Sequence, residues 1–202
     1  MKKYLWIMCV AAFLPGCLSQ AHYDELMGQT NDIKVLKEHD QNQDQQIQEI
    51  QRALESLQSR LKTEIQTSGV KVEQPSTRAI KVTLPQAVLF NSGSTQIDST
   101  GRSVLAKVAE GLRSAPDSTI RIVGHSDALP IGKKLSSRFT DNWELSAARA
   151  AAVARVFVWG EDISKTRVRV EGVNAVDQVA DDSTAGGRAK NRRIEVFIAS
   201  FD

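Results

Sequence analysis

The apolar residues of this 202-residue chain change their period once, and that change limits what it can fold into. From Ile33 they fall at alternating spacings of three and four, through Leu36, Asp40, Gln43, Ile47, Ile50, Leu54, Leu57 and Leu61. Seven of these nine positions are apolar, the a/d spacing of a coiled coil interrupted by the polar pair Asp40 and Gln43. Over 67–78 the repeat is lost, and Gly69 and Pro75 among polar neighbours read as a linker. From Ala79 onward, short alternating runs are separated by helical stretches, the pattern of a packed domain.

Residues 33–66 are therefore expected to form a long helix or coiled-coil stalk, about 50 Å long at helical rise. Two readings stay open: a stalk through which copies of the chain associate, or one amphipathic helix laid on another surface. The linker, if extended, adds up to about 40 Å of reach.

Residues 79–202 carry the domain. Ile80, Val82 and Leu84 alternate as in a strand, and Ser99 caps a helix bearing Val104, Leu105, Val108 and Leu112. Thr119 to Val123 is a second strand. After a long loop, Asp141 stands three residues before Glu144, an Asp form of the capping box, and opens a helix to about Val158. Arg167 to Val170 and Ile194 to Ile198 complete the strands. The order β-α-β-α-β-(short α)-β predicts an α+β domain with helices packed on one face of a mixed four-stranded sheet. About 120 residues suffice for one core.

Arg149 stands out within the helix that Asp141 opens. Leu145, Val153, Val156 and Phe157 define its apolar stripe, and Arg149 falls inside that stripe. An inward guanidinium is costly unless it meets an anion. Either Asp127 meets it in a structural salt bridge, or the two flank a pocket and share an outside ligand carrying both charges.

Other chemistries find little support. A net charge of +2 with sparse aromatics offers no basic face or stacking platform for nucleic acid. The two cysteines, Cys9 and Cys17, both precede the fold, and His22, His39 and His125 are scattered, so neither metal nor cofactor is expected. His125, Ser126 and Asp127 are consecutive and point to alternate faces of a strand, which rules out a relay among them. Gly132-Lys133-Lys134 lacks the upstream Gly and following Ser/Thr of a phosphate loop. No enzyme activity is expected.

At the front, Met1-Lys2-Lys3 is a basic n-region, and Tyr4 to Leu14 is shorter than the roughly 20 apolar residues that cross a bilayer. Leu14-Pro15-Gly16-Cys17 resembles the lipobox of bacterial lipoproteins. That resemblance implies a signal peptide over 1–16, acylation of Cys17 and a lipid-anchored tether over 17–32. Leu18, where enteric-type sorting would read an Asp, favours the outer membrane, with the domain facing the periplasm. Cleavage after Ser19-Gln20-Ala21 is the rival reading.

Three motifs in the domain resemble the OmpA-like peptidoglycan-binding family: Gly124-His125-Ser126-Asp127, Leu145-Ser146-Ala147-Ala148-Arg149-Ala150, and Gly187-Arg188-Ala189-Lys190-Asn191-Arg192-Arg193-Ile194-Glu195. The likeness covers roughly Ile80 to Ile198. It implies non-covalent binding of the diaminopimelate of a peptidoglycan stem peptide. By that resemblance Asp127 and Arg149 hold the ligand, Asn142 and Arg192 line the same pocket, and Ser126, in place of the usual Thr, is the fifth peptidoglycan-binding residue. The loop Ala128 to Asp141 looks more like that of the flagellar stator B subunit, although Tyr4 to Leu14 lacks that subunit's transmembrane length and proton-carrying Asp. The function expected is an outer-membrane lipoprotein that tethers envelope to cell wall. The alternative is a wall-anchoring accessory component of a secretion or flagellar motor apparatus, with the proteins of that machine as partners.

Overall fold

The computed structural model describes residues 20–200. Cys17 and the signal peptide expected over 1–16 lie outside the described residues. The chain divides into two units, Met1–Asn42 and Gln43–Asp202. Helix α1, Gln20–Arg60, contributes to both. No described helix is long and apolar enough to cross a membrane.

The expected stalk divides along its seam. In the first unit Ile33 and Leu36 are 54% and 62% exposed. In the second unit Ile50, Ala53, Leu57 and Leu61 are buried in the domain core. Leu57 packs so close to helix α4 (Ser99–Arg113) that a Cβ on Gly111 would lie 2.5 Å from its Cγ. The short helix α2 (Lys62–Thr67) is tied to α4 by an ion pair of 2.6 Å between Glu64 and Lys107.

The expected linker over 67–78 instead contains strand β1 (Lys71–Ser76), joined by a two-residue turn to β2 (Ala79–Pro85), which the short helix α3 (Gln86–Leu89) follows. The sheet therefore has five strands rather than four, in the order β1-β2-β5-β3-β4. Pro75 is tolerated because β1 is an edge strand, paired on one side, and the register shifts between Glu73 and Ser76. Val72, opposite Val82, packs against the core.

Strands β3 (Thr119–His125) and β4 (Val168–Val173) run parallel, and β5 (Arg193–Ala199) is antiparallel to both β2 and β3. Ile80, Val82, Leu84, Ile120, Ile122, Ile194, Val196 and Ile198 face the core with the helices. Helix α5 (Asn142–Arg155) lies across β3 and β4. Two glycines permit that approach: a Cβ on Gly124 would fall 2.2 Å from the Ser146 carbonyl oxygen, and one on Gly172 would fall 2.4 Å from the Ala147 nitrogen.

Asp98, rather than the expected Ser99, caps α4 by accepting from Gly101 N at 2.7 Å, and of the capping box expected at α5 the Asp141 half forms while Glu144 reaches one residue further back. The Asp141 carboxylate accepts from Glu144 N at 2.9 Å, and Glu144 Oε2 accepts from Thr140 N at 2.6 Å. Past Arg155 the helix ends in a π-helical turn over Val156–Gly160, which buries Phe157.

Candidate functional site

The end of β3 delivers Asp127, α5 delivers Asn142 and Arg149, and the end of helix α6 (Ala185–Asn191) delivers Arg192. All four, with Ser126, line one cavity of about 700 Å³. Its other walls come from Gln86 to Gly93 and the loop Leu129 to Leu135.

Arg149 points inward, as its place in the apolar stripe requires. It is 5% exposed, and burial, then the charge of Arg192, pull its pKa down to about 10 against the opposing pull of Asp127. Its Nε donates to the Ser94 carbonyl at 3.4 Å, and its guanidinium sits 5.8 Å from the centre of the Phe90 ring. Among the described residues it forms no ion pair. The Asp127–Arg149 salt bridge open on sequence grounds is not present: the Asp127 carboxylate accepts from Arg192 instead.

Asn142 and Ser126 line the cavity but are engaged elsewhere. Asn142 Nδ2 donates to the carbonyls of Asp127 at 3.2 Å and Leu129 at 2.8 Å, so this side chain holds the loop in place. Ser126 Oγ donates to Asn174 Oδ1 at 3.3 Å.

Sequence reasoning missed the support behind Asp127. Asn191, fully buried, accepts from the nitrogens of Val179 and Ala180 at 2.9 and 3.0 Å and donates to Asp182 at 2.8 Å. Asp182 in turn accepts from Ala128 N at 2.8 Å, which pins the backbone next to Asp127. Nothing in the sequence distinguishes Asn191 from an exposed helix-end amide.

A second buried charge cluster lies beside the cavity. Arg193 Nε donates to Glu195 Oε1 at 2.8 Å, and His125 Nε2 lies 3.4 Å from Glu195 Oε2, so the arginine bond is the stronger contact. Burial raises the Glu195 pKa, but the contacts to His125 and Arg193 outweigh it and hold the carboxyl at about 2.

A zwitterion suits this cavity. A carboxylate would find the planar fork of Arg149, and an ammonium would find the Asp127 carboxylate.

Comparison with known proteins gives matches of both sequence and fold. The model of the OmpA family matches residues 89–192. The probable lipoprotein YiaD of Escherichia coli is 28% identical over 142 residues, covering 70% of this chain and 61% of that relative. The chain thus spans about three fifths of that protein's length. The cell wall anchor of the T6SS from Pseudomonas aeruginosa is 31% identical with a TM-score of 0.64, over 72% of this chain and 97% of that one. A putative MotB-like protein from Desulfovibrio vulgaris superposes with a TM-score of 0.68 at 24% identity, over 79% of this chain and 96% of that one.

Proposed function

Because the chain belongs to the OmpA family, we propose that its cavity holds peptidoglycan without covalent chemistry, taking the diaminopimelate end of a stem peptide. It is a structural protein rather than an enzyme. One observation carries the ligand reading: Arg149 is a buried guanidinium that lines the cavity and forms no ion pair among the described residues. A stem-peptide carboxylate supplies the missing anion. The neighbouring ammonium goes to Asp127, which Arg192 holds in place.

Acylation at Cys17 would fix the chain to the outer membrane, so that wall binding tethers membrane to wall. The exposed Ile33 and Leu36 of α1 are the contacts through which two copies would associate. A second reading makes the chain a wall-anchoring component of a larger secretion or motor machine. Its support is the 31% identity to the Pseudomonas aeruginosa T6SS anchor.

The decisive test is co-sedimentation of the full-length protein with purified diaminopimelate-type peptidoglycan, beside Asp127→Ala and Arg149→Ala. A charge-assisted hydrogen bond contributes about 1.5–3 kcal/mol, so each variant should bind at least about tenfold more weakly. Folded wild-type protein left in the supernatant sinks the wall-binding reading. Cys17→Ser should move the protein from the membrane to the soluble periplasmic fraction. Partner proteins recovered with it from solubilised envelopes would favour the machine component.

A further inference from the structure

The cavity holds more positive charge than a zwitterion can use. Among its lining residues Arg149, Arg192, Lys133 and Lys134 are cationic, and Asp127 is the single anion. A diaminopimelate end group adds one carboxylate and one ammonium, so its arrival leaves the surplus unchanged. Arg192 is already engaged with Asp127, and Arg149 takes the incoming carboxylate. The two lysines are left over. Neither forms an ion pair among the described residues.

Their loop is built rather than slack. Leu135, 7% exposed, anchors it, and its nitrogen donates to the Gly132 carbonyl at 2.9 Å. Ser136 closes the turn with bonds of 3.1 Å to the carbonyls of Gly132 and Lys133. Across the mouth, Gly93 has φ +68°, and the Lys134 stem runs past it with Cδ 3.7 Å from the place a Cβ would take. Both lysines thus line the cavity on an ordered turn, and the Lys134 stem meets the Gly93 side of it. A cavity of about 700 Å³ also has room for more than one amino-acid terminus.

We propose that Lys133 and Lys134 form a subsite for a second carboxylate, the free α-carboxylate of the D-glutamyl residue next to diaminopimelate. This rests on the stem-peptide reading above and deepens it: the site would favour stems whose glutamyl carboxylate is free over stems in which it is amidated. Both forms have nearly the same shape, so charge alone discriminates between them. Lysines this exposed act through a screened field, which limits the preference and makes it fall with salt.

The test is titration calorimetry of the full-length protein with two synthetic peptides, L-alanyl-γ-D-glutamyl-meso-diaminopimelate amidated at the carboxyl of its acylated carbon, and the same peptide carrying the glutamyl α-amide as well. Wild type should bind the free acid about three- to tenfold more tightly at low salt, with the ratio shrinking in 0.5 M salt to about one. The double variant Lys133→Ala/Lys134→Ala should bind both peptides alike, at the affinity wild type has for the amide. Lys133→Arg/Lys134→Arg should keep the preference. Equal binding of both peptides by wild type overturns the subsite and leaves the wall-binding reading standing, as does a preference that survives the double alanine variant. Folded wild type that binds neither peptide removes both readings.

Discussion

Arg193 on β5 and Arg149 on α5 are 4% and 5% exposed, yet their surroundings are opposite. Arg193 spends its donors on Glu195 at 2.8 Å and on the carbonyls of Asn191 and Asp177 at 3.3 and 3.0 Å. Arg149 has one long bond, 3.4 Å to Ser94, and the face of Phe90. The first is a charge buried with its partner, which belongs to the architecture. The second is a charge buried in the wall of a cavity with no ion pair among the described residues, the place where the proposed ligand carboxylate would dock. Burial of charge by itself therefore identifies no site; what does is burial with an unmet partner.

The largest effect that bears on this contrast is on stability. Arg193→Ala strands Glu195 and should cost about 3–5 kcal/mol in urea unfolding. Arg149→Ala strands no anion. It should change the unfolding free energy by no more than about 1 kcal/mol, because lost stem packing is offset by relief of desolvation. Equal losses in the two variants would erase the distinction.

Next comes binding. Arg149→Lys keeps the charge but loses the planar fork, and affinity for the diaminopimelate stem should fall about tenfold by calorimetry, with Arg193→Lys affecting it less.

Acid should then separate the two regions. The folded-state pKa of Glu195 is about 2, below its ordinary 4.5. The unfolded chain therefore takes up that proton first as pH falls, so the Glu195 contribution is complete above pH 4.5 and is lost progressively toward pH 2. Thermal unfolding of wild type across that window should show a drop that Glu195→Gln flattens, whereas Arg149→Ala should retain it. The smallest effect belongs to Ser126→Ala. It removes one bond of 3.3 Å to Asn174, should cost about 1 kcal/mol or less, and should leave stem-peptide affinity unchanged.

Much of this contrast was legible one element at a time. The Asp141 cap of α5 appears in the structure with its bond from Glu144 N. The inward aim of Arg149 followed from helical periodicity. Strand β1 was hidden because an edge strand pairs on one side only and so admits Pro75, which in a sequence reads as a breaker. The seam from Ile33 to Leu61 left two readings open for another reason. Spacings of three and four describe equally a coiled coil and a helix laid on its own domain, and Ile50, Leu57 and Leu61 took the second course.

Periods, caps and the inward charge are written within a few neighbouring residues, so the sequence by itself determined the longer helices, four of the strands and the presence of a buried cation. Pairing across the fold is another matter. Asp127 lies 65 residues before Arg192 and only 22 before Arg149, and local rules cannot rank these candidates. Hydrogen bonds from Asn191 and from Ala128 N to Asp182 tie the end of α6 to the segment after β3, where the Asp127 carboxylate accepts from Arg192. Only the tertiary structure, by bringing distant elements to one cavity mouth, decided that Arg149 has no ion pair among the described residues and that Lys133 and Lys134 share its cavity.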